Sequence, residues 1–238
     1  MEEKEKLKPI KLQLDHFFSV LASIIWLALF IVLSLNHFKS WFGDSIIQIC
    51  VSGGMVNIAI TVLLFWFYYS QKWPLMNPLK MHPLDCLVKG VIGVIQLFPL
   101  SYMIGIVWQK IVLSLRYALN VDCEEQPMLV FLRSDLTHEG QFWGIILLAV
   151  ILAPIAEEIF FRYFLYRFGK SHMSSRQITL LTAFIFALLH FNLAAFASLW
   201  VMGIFLTFLY EYYGNLIPCI IAHSLFNCVS ILSAVLFS

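Results

Sequence analysis

Seven apolar runs follow one another along this chain, most of them long enough to cross a bilayer, and nothing else in the sequence limits its fold so strongly. A helix rising ~1.5 Å per residue needs about 20 apolar residues to traverse a ~30 Å hydrocarbon core. The runs cover about Phe17–Asn36, Ile46–Tyr69, Cys86–Leu115, Phe142–Phe168, Gln177–Phe191, Ala194–Tyr212 and Leu216–Phe237. Backbone in lipid must satisfy its own polar groups, so runs of this kind become helices. The expected fold class is therefore all-α: a polytopic membrane helix bundle of about seven transmembrane helices.

Composition agrees with that reading. Of 238 residues, 61% are hydrophobic and 12% charged, and the mean hydropathy is +0.86, well outside the range of soluble domains. A net charge of +1 offers no basic surface, so nucleic acid is not a partner and the lipid bilayer is. Cys50, Cys86, Cys123, Cys219 and Cys228 form no C-x-x-C pair and read as small core hydrophobes. No Asn-x-Ser/Thr sequon occurs, which fits a bacterial protein.

The chain divides by polarity. Residues 1–16 form a charged amino-terminal segment, residues 17–115 hold three spans, and residues 116–141 are the most acidic stretch. Residues 142–238 hold the last four spans. The first span lacks a small-residue exit site and reads as uncleaved. A connector from Gln71 to Asp85, with Pro74, Pro78 and Pro83, reads as a loop. The third run exceeds one bilayer and contains Pro99, so a tilt, a kink or an extension beyond the membrane is expected. Within residues 116–141, Pro127 is placed to open a short surface helix, Met128 to Arg133.

Lys and Arg concentrate on the cytoplasmic side of membrane proteins. One set of alternate loops carries Lys4, Lys6, Lys8, Lys11, Lys72, Lys80, Arg167, Lys170 and Arg176; the other carries Lys39, Arg116 and Arg133. The amino terminus is therefore expected in the cytoplasm, the 116–141 loop and the carboxyl terminus outside it, in a bacterial cytoplasmic membrane.

Into the fourth run the chain places Glu157, Glu158 and Arg162. An ionised side chain at mid-bilayer costs ~2.5–3.5 kcal/mol on insertion scales, so such groups face a protein or aqueous interior and mark function. Glu158 and Arg162 are i,i+4 and share a helical face, while Glu157 points roughly 100° away. One glutamate is thus paired and the other free for chemistry. Later runs add His190, and His223 with Asn227 at i,i+4. Measured from the cytoplasmic ends of their spans, Glu157, His223 and His190 lie about 15, 13 and 20 Å deep, compatible with one layer.

A glutamate desolvated beside a second carboxylate is suited to take a proton from water. The tetrahedral intermediate of amide hydrolysis needs donors for its oxyanion, which His223 and Asn227 can supply. His190 can orient the water or protonate the leaving amine. Glu158 with Arg162 holds the helix in register. A His/His/Glu set, Glu157, His190 and His223, can alternatively hold zinc with water in the fourth position. No carboxylate backing the histidines is evident in the sequence, and the metal-free chemistry is favoured.

These residues carry a resemblance. Glu157-Glu158-x-x-x-Arg162, Phe186-x-x-x-His190 and His223-x-x-x-Asn227, in this order, resemble the three motifs of the CAAX prenyl protease and bacteriocin-processing family (CPBP, or Abi) of intramembrane endopeptidases. The surrounding phrases agree: Ala153-Pro154 before the glutamates, and Gly214-Asn215-Leu216-Ile217-Pro218 leading into Ala222-His223. The resemblance covers about residues 140–230 and implies a catalytic core within residues 142–238, its active site among the last four helices. It implies Glu157 as the water-activating base, His190 as its partner, and His223 with Asn227 as oxyanion stabilisers. The implied substrate is a peptide bond of a membrane-associated or lipidated protein. Tyr163 departs from the pattern, standing where many members have glycine. Two other classes remain open at this point: a transporter or channel using Glu157 and the histidines as an ion pathway, and a non-proteolytic immunity or scaffold protein.

Overall fold

The computed structural model describes residues 21–22, 81–119, 143–144, 146–190 and 192–236. Every regular element among them is helical. Helix α1 is Pro83–Leu119. Residues 148–169 form one continuous rod, α2, in which π-helical turns at Leu148–Leu152 and Ile159–Tyr166 alternate with α-helical turns at Ala153–Glu158 and Arg167–Gly169. Helices α3 (Ser175–Leu188), α4 (Phe196–Tyr213) and α5 (Ile217–Leu236) follow. The expected second span and the stretch Met128–Arg133 lie outside the described residues, as does the first span apart from the helical residues 21–22.

Residues 83–115 of α1 and the whole of α4 are long and apolar enough to cross a bilayer, while α3 and residues 217–233 of α5 are shorter apolar helices. Leu87, Ile95, Met103, Val107 and Leu113 are exposed along α1, an apolar surface suited to hydrocarbon. Pro99 does not interrupt α1; its 37 residues span ~55 Å, so the excess over one bilayer is taken up by length. Pro83, expected in the connector, instead opens this helix, where its missing N–H removes nothing.

Small residues bring the helices together. A Cβ on Gly90 would stand 2.5 Å from the Ile221 side chain, and one on Gly203 would stand 2.9 Å from Cα and Cβ of Ala183. These glycines let α1 approach α5 and α4 approach α3 at near-backbone distance. Where α1 crosses the start of α4, Ser101 and Ser198 exchange hydrogen bonds, each hydroxyl donating to the other's carbonyl at 3.2 and 3.1 Å. Leu97, Phe161, Tyr166, Phe186, Met202, Leu206 and Tyr210 fill the space between.

The ends of the helices also meet. Trp108 of α1 donates from Nε1 to the Leu193 carbonyl, 2.6 Å away, just before α4. At the opposite face Asn215, after the left-handed Gly214 that ends α4 (φ 64°), lies 3.9 Å from Cys86 Sγ at the start of α1. Lys170, after α2, pairs with Glu211 near the end of α4. Arg167 closes α2, at the end expected for the fourth span; it is buried, with its guanidinium 4.9 Å from the Tyr163 ring centre. Cys86 and Cys219 are buried, as core hydrophobes should be.

Candidate active site

The site is built on α2, and its centre is fully buried. Glu158 is 0% exposed and Arg162 1%. Their i,i+4 spacing brings Arg162 Nη1 to 2.8 Å from Glu158 Oε1, the pair expected from the sequence. A second guanidinium nitrogen, Nη2, donates to the Gly203 carbonyl of α4 at 3.3 Å. The plane of Arg162 also lies 4.9 Å from the Phe186 ring centre and 5.9 Å from that of Phe161. Aromatic faces and a counter-anion together make this buried cation tolerable.

His223, 1% exposed on α5, reaches across to both glutamates. Its Nδ1 is 2.8 Å from Glu158 Oε1, so one carboxylate oxygen serves Arg162 and His223 together. Its Nε2 is 3.8 Å from Glu157 Oε2. That distance is longer than a direct hydrogen bond and short enough for strong coupling between the groups. Oε2 of each glutamate is buried without a hydrogen-bond partner. Orphaned buried acceptors are uncommon in folded proteins, and they recur where chemistry is done.

His190 occupies a different place from the one expected. The fifth apolar run extends to Phe191, but α3 stops at Leu188 after 14 residues, ~21 Å. His190 follows in the turn and caps the helix end, donating from Nδ1 to the Phe186 carbonyl at 2.7 Å. A ring nitrogen that takes over an orphan carbonyl supplies the physical reason for the stop. The imidazole packs on the Phe186 ring at 4.6 Å between centres, and His223 meets the same ring edge-on at 5.9 Å. The two histidines thus flank one phenylalanine.

Asn227, one turn beyond His223, donates from Nδ2 to the Ala149 carbonyl at 2.9 Å. That carbonyl belongs to the first π-helical turn of α2, where the wider winding departs from the regular α-helical bonding pattern. Structure therefore brings Glu157, Glu158, Arg162 and His223 into direct proximity, joins His190 through Phe186, and ties Asn227 to the same rod eight residues before Glu157. Phe186 and Gly203 were not singled out as site residues from sequence. A small residue inside an apolar span was the available signal for Gly203.

The donor set bears on the zinc alternative. Spacing alone shows no carboxylate behind the histidines; the structure supplies Glu158 behind His223 and the Phe186 carbonyl behind His190, contacts of the kind that orient metal-bound imidazoles. Yet among the described residues no three His, Cys, Asp or Glu side chains are gathered closely enough to hold an ion. Glu157, His190 and His223 as placed do not form a metal site.

Residues 139–229 match the family model described as type II CAAX prenyl endopeptidase Rce1-like. The match is consistent with the CPBP resemblance of the three motifs and encloses Glu157, His190, His223 and Asn227. No curated protein and no solved structure matches the chain.

Proposed function

From the Rce1-like segment at residues 139–229, we infer that the chain is an intramembrane endopeptidase hydrolysing a peptide bond of a membrane-associated or lipidated protein. The observation that carries this reading is Glu157 Oε2, buried without a hydrogen bond and 3.8 Å from an imidazole that a second carboxylate anchors. In this reading Glu157 is the general base. As the water oxygen bonds to the substrate carbonyl carbon, the water proton passes to Glu157. Charge that develops on the carbonyl oxygen is met by donors from α5, His223 and Asn227. His190 orients the water from the end of α3. The C–N bond then breaks as the amine nitrogen takes up a proton, which leaves a carboxyl and an amine product. No metal enters these steps.

The bundle is read as about seven spans in a bacterial cytoplasmic membrane, with a cytoplasmic amino terminus and an extracytoplasmic carboxyl terminus. Charge distribution supports this orientation: nine cations in the connectors and at the span ends fall on one side and three on the other. The pairing of helix ends, Lys170 with Glu211 and Asn215 with Cys86, supports the alternation of spans on which that count depends.

The test compares membranes of cells expressing the parent or Glu157→Ala by sequencing of new protein termini. Termini in membrane-associated proteins that require Glu157 are the expected result. Identical sets in both strains would overturn the protease reading.

A further inference from the structure

Two polar contacts place a hydrogen on Nδ1 of His223. Glu158 Oε1 receives a hydrogen bond from Arg162 Nη1, and a guanidinium nitrogen can only donate. Oε1 is therefore an acceptor. His223 Nδ1, 2.8 Å from the same oxygen, must bring a hydrogen to that contact, or two electron-rich atoms would face each other in a buried site. With the proton on Nδ1, the neutral ring has a lone pair on Nε2, the atom 3.8 Å from Glu157 Oε2.

The geometry points to Glu158 as a positioning residue: held as an acceptor by Arg162, it fixes the resting proton of His223 on Nδ1 and presents Nε2 to Glu157 as a proton acceptor. Its part in the fold, pairing with Arg162, is only half of its work. The arrangement repeats the logic of a carboxylate that sets the tautomer of a catalytic imidazole and steadies its charged form.

One mechanistic consequence rests on the proteolytic reading above. A neutral His223 cannot donate from Nε2, so it stabilises an oxyanion only after gaining a second proton. Glu157 supplies it. The proton taken from water onto Glu157 passes to Nε2, which returns Glu157 to its carboxylate and makes His223 an imidazolium facing Glu158. That imidazolium donates from Nε2 to the oxyanion, then yields the same proton to the amine nitrogen as the C–N bond breaks. The ring is left in its starting tautomer. Contacts in unliganded enzymes are often long and tighten when substrate binds, and the 3.8 Å separation needs to close by less than about 1 Å.

The experiment is nitrogen NMR of the full-length protein in lipid nanodiscs, with ring-labelled histidine and the His223 signals identified by their loss in His223→Gln. The expected spectrum has a pyrrole-type Nδ1 and a pyridine-type Nε2. Glu158→Leu should exchange the two or mix them, whereas Glu158→Gln, whose amide oxygen still accepts, should keep the parent pattern. A parent spectrum with a proton on Nε2, alone or together with one on Nδ1, overturns the inference, and so does a folded Glu158→Leu protein with an unchanged pattern. Where Glu158→Leu does not fold, the parent spectrum and Glu158→Gln decide. The tautomer is read without substrate, so loss of the protease reading in the terminus-sequencing test leaves this result separate.

Discussion

Asn227 donates its amide hydrogen to the carbonyl of Ala149, and this bond joins the last helix to the π-helical turn that leads into Glu157. An amide nitrogen carries two hydrogens, so one can hold the side chain while the other faces a reacting oxygen. Asn227→Ala is expected to lower stability by about 1 kcal/mol. Cleavage should fall by ~10²–10³-fold, the usual loss for one oxyanion donor. Unfolding in mixed micelles and the rate at which new termini appear check the two halves. A variant with parental cleavage would remove Asn227 from the site.

Glu157→Gln should reduce cleavage by ~10²–10⁴-fold, the range supplied by a general base. Its Oε2 makes no hydrogen bond, so the same substitution should leave the unfolding midpoint close to that of the parent. A large fall in stability without loss of cleavage would assign Glu157 to the fold.

Arg162→Ala strands Glu158 in a fully buried position and is expected to cost about 3–5 kcal/mol. Replacing Glu158 and Arg162 together with apolar residues of similar size should recover much of that stability, because neither charge is then left alone. The paired variant should remain inactive. Denaturant titration of the three proteins, with cleavage measured alongside, tests this expectation; an active paired variant would leave Glu158 no part in positioning His223.

At the α3–α4 crossing, Gly203→Val should destabilise by about 1–3 kcal/mol, since even its first carbon would meet Ala183 Cα at 2.9 Å and force the helices apart. The same displacement moves the Gly203 carbonyl away from Arg162 Nη2. Loss of cleavage should therefore accompany the loss of stability. Thermal unfolding in detergent is the measurement, and parental values for both would contradict the tight crossing.

Divalent-metal chelators should leave cleavage unchanged in the purified protein, because Glu157, His190 and His223 are not gathered as ligands. Loss of cleavage on chelation, restored by added zinc, would require a rearranged site.

Contacts within one helix were legible in the sequence, and those between helices were not. The Glu158–Arg162 pair follows from i,i+4 spacing alone, and the limits of α4 and α5 fall within two residues of their apolar runs. Span depth allows His223 and Glu157 to share a layer, but the bond of His223 to Glu158 depends on how α5 is rotated against α2, which no periodicity records. His190 looked helical because Leu188 and Leu189 continue the apolar pattern; the imidazole ends the helix by bonding backward to Phe186. The π-helical turns of α2 left no composition signal either, since they differ from α-turns in winding and not in residue type.

The reciprocal Ser101–Ser198 bond has a further meaning for how this protein can be divided. Helix α1 lies wholly upstream of the Rce1-like segment, yet it packs against both α4 and α5. Excising residues 139–229 as an autonomous module would strip the seam at Gly90 and Ile221 and leave Ser198 donating into lipid. A unit that keeps this packing, in engineering terms, starts no later than Pro83.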